Sequence, residues 1–146
     1  MKHAILWTGL LVASAPIWPG AARAAEPAPP AKPSSFEQSA ERTLTGQLVT
    51  LPQGPVVAVM RLNVFPAGFK GPLHKQPYQR YAYVLSGRLR VTYDDPKLVR
   101  EFGPGEMIVE GVDQWHWVEP VGPGGVRVLT IDQTPPGAPN VVIKQP

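Results

Sequence analysis

Short apolar segments alternate with polar residues and turns along most of the chain. Leu89, Val91 and Tyr93 alternate with polar residues, a period of two that is typical of a half-buried β-strand. The segment Val56–Val64 is apolar and rich in β-branched residues, which predicts a buried strand. Because the segments beyond residue 44 lack the helical period, the pattern predicts an all-β domain.

Further strands are predicted between turns that contain Gly, Pro and Asp. They are Gln47–Leu51, Tyr81–Ser86, Arg88–Tyr93, Leu98–Phe102, Met107–Val109, Gln114–Glu119 and Val126–Asp132. Many short strands at steady spacing indicate a jelly roll or a closed barrel.

The N-terminal residues have the pattern of an export signal. Lys2 precedes the apolar run Ala4–Trp18, and Ala22-Arg23-Ala24 reads as a small-x-small cleavage site. The apolar run is short and interrupted by proline, so it does not predict a membrane span. We expect residues 1–24 to be a signal peptide and the mature protein to be periplasmic or secreted.

A segment rich in Pro and Ala, residues 25–44, separates this signal from the predicted barrel domain at 45–146. Glu26–Pro33 favours extended conformations. Ser34 and Glu37 have the spacing of a capping box, so the segment is either a helical turn through Arg42 or a disordered arm.

Charge and cysteine content exclude some functions. The chain has 14 Lys and Arg against 11 Asp and Glu. Removal of residues 1–24 takes away Lys2 and Arg23, which leaves 12 basic and 11 acidic residues and a net charge of +1. We therefore expect no nucleic-acid partner. With no cysteine, an exported domain of this size depends on its hydrophobic core.

Two histidines are the main candidates for chemistry. His3 leaves with the signal peptide, so the mature chain keeps only His74 and His116. Each lies in a short strand-like segment a few residues after a Gly/Pro turn. The chain has no Gly-x-Ser-x-Gly motif and no Gly-rich phosphate loop, so no known nucleophile signature competes with them.

The stretch around the first histidine resembles the first motif of the cupin family. That motif has a glycine, five residues, His-x-His, three or four residues, a glutamate, six residues and a glycine. Gly68, His74 and Gly87 match it, whereas Gln76 stands at the second histidine and Arg80 at the glutamate.

The stretch around the second histidine resembles the second cupin motif, which has a glycine, five residues, Pro-x-Gly, two residues, a histidine and an asparagine four positions on. Gly105 and His116 match it. Gly111, Asp113 and Pro120 replace the proline, the second glycine and the asparagine.

This resemblance extends from about Val56 to Asp132 and implies a cupin double-stranded β-helix, a jelly-roll barrel. Cupins include dioxygenases, isomerases, lyases, epimerases, storage proteins and ligand sensors. The fold alone therefore leaves open whether this chain is an enzyme.

The resemblance implies a metal site that is only half retained. His74 and His116 supply two nitrogens, and Gln76 is a weak third donor, for one divalent transition metal such as Fe, Mn, Zn, Ni or Cu. An inward Arg80 would repel that metal, because its guanidinium stays protonated and cannot ligate.

The same departures suit an organic ligand. Arg80 offers a donor fork to a carboxylate, Gln76 offers neutral hydrogen bonds, and Tyr78 lies where it would close the mouth of the barrel. Alternatively, Arg80 turns outward or pairs with an acid such as Glu106 or Glu110. Acid–base chemistry by a histidine, assisted by Glu110 or Tyr78, is a further alternative.

Three hypotheses follow for this chain. It is a pocket for a small molecule such as a carboxylate, with or without a weakly held metal; a metal-dependent, dioxygenase-like cupin enzyme; or a structural barrel with a vestigial site. In each case we expect a homodimer, because the edge strands of a small jelly roll need covering.

Overall fold

The computed structural model describes residues 35–145 of the chain. The predicted signal peptide and residues 25–34 of the predicted tether lie outside this part. Nine strands form in it: β1 Val57–Phe65, β2 His74–Lys75, β3 Arg80–Ser86, β4 Leu89–Tyr93, β5 Leu98–Phe102, β6 Met107–Val109, β7 His116–Pro120, β8 Val126–Thr134 and β9 Val142–Ile143.

The strands form two sheets, of order β1-β8-β3-β6 and β5-β4-β7-β2-β9, in which every pairing between strands is antiparallel. Most neighbours in a sheet are distant in sequence, so the chain crosses repeatedly from one sheet to the other. This is the jelly-roll arrangement, and the predicted all-β fold class is confirmed. Among residues 35–145 no helix is long and apolar enough to cross a membrane.

The core lies between the two sheets and follows the period of two in the sequence. Leu89, Val91 and Tyr93 of β4 are buried, while the residues between them are half-buried. Val126 and Val128 of β8 are buried on the facing sheet. Full burial of an aliphatic side chain of this size stabilises the fold by about 1.5–3 kcal/mol.

Most of the predicted strands agree with the structure, but two expectations are wrong. Val56–Val64 is not a buried strand: Met60, Leu62 and Val64 of β1 are more than half exposed, because they lie on the outer face of the sheet, away from the core. Gln47–Leu51 forms no strand; Leu48 makes a single bridge to Arg42, and the chain folds back in a turn where Thr43 N donates to Gln47 O (2.8 Å). Of the two alternatives for the N-terminal arm, the helical turn does not form in residues 35–42. Instead, Gln38 Oε1 accepts a hydrogen bond from Met107 N (2.8 Å) beside β6.

Candidate functional site

The two histidines are directly opposite each other in neighbouring strands. His74 in β2 pairs with His116 in β7, and their ring centroids are 4.4 Å apart. Both side chains are buried, His116 completely (0% exposed). On the far side of His116, the ring of Tyr93 lies 4.7 Å away, and its hydroxyl accepts a hydrogen bond from Gly111 N (2.8 Å). Residues remote in sequence thus meet inside the barrel.

Both imidazoles are oriented by the backbone. His74 Nδ1 donates to Pro72 O (2.9 Å), and His116 Nδ1 donates to Gln114 O (3.0 Å). Since a carbonyl oxygen only accepts, each Nδ1 carries a proton. In the neutral form, each Nε2 therefore carries a lone pair directed away from that carbonyl.

Glu110 is the acidic group closest to the histidines. It is buried, and its Oε2 lies 3.4 Å from His116 Nε2, too far for a well-formed hydrogen bond. Burial raises the pKa of Glu110, but contact with His116 and the charge of Arg80 outweigh burial, and the pKa lies below its ordinary value.

Arg80 points inward and is held by a second buried acid. Its Nε donates to Asp132 Oδ1 (2.6 Å) and its Nη2 to Asp132 Oδ2 (3.0 Å). Arg80 is 8% exposed and Asp132 only 2% exposed. Arg61, which is largely exposed, donates to the same carboxylate (2.7 Å). Among residues 35–145, no acceptor takes a hydrogen bond from Arg80 Nη1.

A cleft of about 170 Å³ opens beside these groups. Its apolar walls are formed mainly by Phe65, Phe69, Leu89, Val118 and Val128. Its polar lining consists of Asn63, His74, Arg80, Glu110 and Thr130. Such an apolar cleft with a few convergent polar groups is the usual form of a small-molecule site.

The other predicted site residues lie elsewhere. Gln76 is buried, but neither polar atom of its side chain has a hydrogen-bond partner in the described part of the chain, and it does not line the cleft. Tyr78 is half-buried and also outside the cleft lining. Trp115 and Trp117, which flank His116, were not predicted site residues; they make cation–π contacts, with Lys75 Nζ 5.0 Å from the Trp115 ring and Lys70 Nζ 5.1 Å from the Trp117 ring.

Two residues that hold the site together were not predicted from the sequence. Asp132 anchors Arg80, and Gln79 Nε2 donates to both Arg80 O and Glu110 O (3.0 Å each), which ties β3 to the end of β6. A signal for Asp132 exists in the sequence: it continues the inward alternation of Val126, Val128 and Thr130 in β8, and an acid on a buried face needs a cation.

The donor set does not fit a tightly held divalent metal. Among residues 35–145, no three His, Cys, Asp or Glu side chains are arranged to hold one. The two histidine Nε2 atoms are suitable ligands, but the guanidinium of Arg80 stands in the same cleft as His74. The charge of Arg80 opposes a dication there.

Stability is expected to fall when the pH is lowered past the ordinary pKa of histidine, 6.5. Burial, followed by the charge of His116, holds the pKa of His74 below that value. Just below pH 6.5, His74 therefore binds a proton more readily in the unfolded chain than in the folded one. The free energy of unfolding consequently decreases as the pH falls through 6.5. Thermal unfolding between about pH 8 and about pH 5.5 checks this, because the Glu110 contribution is lost only below its ordinary pKa of 4.5.

A His74→Gln variant is the control for this prediction. Its melting temperature should vary less over the same pH range than that of the wild type. An equally steep decline in both proteins would assign the effect to other groups.

Comparison with known proteins identifies the family of the barrel domain. Residues 61–132 match the Cupin_2 family, described as a cupin domain. No curated protein sequence matches the chain.

Solved structures with the same fold share little sequence with this chain. A conserved protein with a double-stranded β-helix domain from Klebsiella pneumoniae is 17% identical, with a TM-score of 0.51, over 67% of this chain and 91% of that one. Oxalate decarboxylase from Bacillus subtilis is 21% identical (TM-score 0.51) over 59% of this chain, and the DMSP lyase from Ruegeria pomeroyi is 17% identical (TM-score 0.52) over 60%.

The matched regions make up only 23% of that decarboxylase and 43% of that lyase. At these identities the likeness shows the double-stranded β-helix fold and leaves the activity to be argued from the site.

Proposed function

Because this chain belongs to the cupin superfamily, we propose that the interior of its barrel binds a small organic molecule with a carboxylate head group and an apolar body. The carboxylate binds at Arg80, and the body packs on the apolar wall of the cleft. Neighbours with the same fold include an oxalate decarboxylase and a DMSP lyase, so small molecules are a ligand class that the fold accommodates.

The observation that carries this proposal is the pre-arranged guanidinium of Arg80. Asp132 uses its Nε and Nη2, which fixes the plane of the group and leaves Nη1 without an acceptor among the described residues. Arg80 also lines the cleft. A guanidinium fixed in this way loses little side-chain entropy when it binds a carboxylate.

The charges around the cleft favour a ligand with few negative charges. Arg61 and Arg80 balance Asp132 and Glu110. Each negative charge of a ligand is added to this neutral set in a site that is partly removed from water, so a monoanion costs less than a dianion.

A metal-dependent enzyme is the second candidate. The observation that favours it is the orientation of His74 and His116 by backbone carbonyls, an arrangement that also orients metal ligands. A weakly held divalent ion bound through their two Nε2 atoms is the form of this hypothesis that Arg80 permits. A structural barrel with a vestigial site would bind neither metal nor carboxylate.

We also propose that the protein acts as an exported homodimer. The apolar run and small-x-small site near the N-terminus support export to the periplasm. The edge strand β1 supports self-association, because Met60, Leu62 and Val64 on its outer face are more than half exposed. A second copy of the chain would cover these three apolar side chains.

Replacement of Arg80 by lysine is expected to weaken carboxylate binding at least about tenfold while the fold is kept, because lysine retains the charge beside Asp132 but has no second nitrogen to present to the cleft in place of Nη1. Calorimetric titration with butyrate, hexanoate and benzoate in the presence of EDTA checks this. Arg61→Lys is the matched control: Arg61 contacts the same carboxylate but lies outside the cleft lining, so its affinity should stay within about twofold.

Two outcomes would overturn the proposal. Equal affinity of the Arg80→Lys and wild-type proteins would remove Arg80 from the site. Binding that requires added metal, and disappears with EDTA, would favour the second candidate.

A further inference from the structure

Two phenylalanines form the aromatic part of the cleft wall. Phe65 ends β1 and Phe69 follows four residues later in the turn where Phe69 N donates to Pro66 O (3.1 Å). Their rings are stacked, with centroids 4.9 Å apart and planes within 3°. Both line the cleft, and both are only half-buried. An aromatic pair therefore presents exposed ring surface to the ligand space.

The polar and apolar parts of the lining are ordered along the paired strands. On β1, Asn63 precedes Phe65. Arg80 of β3 lies opposite Asp132 of β8, and Thr130, two residues before Asp132, accepts a hydrogen bond from Asn63 Nδ2 (3.1 Å). The cleft thus grades from charged through neutral polar to aromatic, which orients an amphiphilic ligand in one direction.

The size of the cleft suits a small ligand. A volume of about 170 Å³ corresponds to that of roughly five or six water molecules. This space accommodates one six-membered ring with a short polar head.

From these three observations we propose that the ligand is a single-ring aromatic monocarboxylate, with its ring against Phe69 and its carboxylate at Arg80. This inference rests on the proposed function and narrows its ligand class. Aromatic rings pack on one another in offset or edge-to-face arrangements with centroids 4.5–7 Å apart and gain attraction beyond burial of area. A saturated ring of the same size lacks that gain.

Benzoate and cyclohexanecarboxylate are the probes that test this inference. Both carry one carboxylate on a six-membered ring, but the saturated ring is the more hydrophobic of the two. Burial of apolar area alone therefore favours cyclohexanecarboxylate, whereas ring stacking favours benzoate. We expect calorimetric titration of the full domain to show benzoate binding about threefold to tenfold more tightly.

A Phe69→Leu variant should remove this preference, with the two affinities within about twofold of each other, because leucine keeps the apolar contact and loses the ring. Phe65 is the less suitable position, since it also packs against the core. Arg80→Lys should weaken both probes alike.

The outcomes separate the two proposals. Equal affinities in the wild-type protein, or a benzoate preference that survives Phe69→Leu, would overturn the aromatic inference and leave the carboxylate pocket standing. If neither probe binds but hexanoate does, only the aromatic inference falls. Failure of both probes and of hexanoate to bind would overturn the proposed function, and the aromatic inference with it.

Discussion

Replacing Asp132 with alanine is expected to lower the free energy of unfolding by about 3–5 kcal/mol, because it leaves the buried guanidinium of Arg80 without its hydrogen-bonded carboxylate. Arg80 is 8% exposed, and both of its hydrogen bonds to side chains go to Asp132. Arg61 can turn to solvent after the substitution, whereas Arg80 is confined by the barrel. Urea unfolding near neutral pH, followed by tryptophan fluorescence, checks this value.

Glu101→Ala is the matched control for this prediction. Glu101 accepts hydrogen bonds from Arg90 Nε (3.0 Å) and Nη2 (2.7 Å), the same two donor atoms that Arg80 uses, but this pair is exposed on β4 and β5. Water solvates this exposed guanidinium, and Glu119 still accepts from Arg90 Nη1 (3.1 Å), so Glu101→Ala should cost far less. The double variant Arg80→Leu/Asp132→Ala should recover part of the loss, because it removes the unpaired charge. Similar losses in Asp132→Ala and Glu101→Ala would contradict the burial argument.

The fold was predictable because β4 and β8 alternate with a period of two and because turn residues separate the strands. Leu98–Phe102 and Met107–Val109 have the ends predicted for them, since each is bounded by turn residues. The same reasoning failed at Gln47–Leu51, where the apolar residues Leu48 and Leu51 are more than half exposed. A strand requires a partner strand, and alternation in a single segment does not show whether one is available.

Only those site residues that occupy positions of the cupin motifs were predictable from the sequence. The motif spacing indicated His74, Arg80 and His116, which all lie inside the barrel. It did not indicate Asp132, because the pairing of Arg80 with Asp132 depends on the register between β3 and β8 across 52 positions. Gln76 is the reverse case, a residue that the family spacing did indicate. We expected its side chain to contact a ligand, but the side chain is buried and its polar atoms have no hydrogen-bond partner among residues 35–145.

A departure from the second cupin motif has a physical explanation in the backbone. Asp113 stands where the motif has a glycine, and its φ is 57°, in the left-handed region. Aspartate tolerates this conformation better than most residues with a side chain. Asp113 N donates to Gln76 O (2.7 Å), and its carboxylate pairs with Lys75. The turn before His116 therefore keeps its shape without the glycine.

Gly87→Ala is expected to cost about 2–6 kcal/mol, the sum of a strained backbone and a forced shift of a neighbouring strand. Gly87 joins β3 to β4 with φ at +78°, and an added Cβ would lie 2.9 Å from Val126 Cα and closer still to Gly125 O. Both contacts are backbone atoms of the facing segment, so no side-chain rotation relieves them. The shift would propagate into β8, which begins at Val126 and carries Asp132.

Two other glycines distinguish the cost of backbone strain from the cost of the close contact. Gly54 has φ at +84° but no atom within 4 Å of a Cβ, so Gly54→Ala measures the strain alone, about 1–2 kcal/mol. Gly124 also has open space and a φ outside the left-handed region, so Gly124→Ala should change stability by no more than about 0.5 kcal/mol. If Gly87→Ala costs no more than Gly54→Ala in urea unfolding, the close approach of the two backbones does not constrain the barrel. A larger loss, together with weaker carboxylate binding, would show that the position of β8 fixes Arg80 through Asp132.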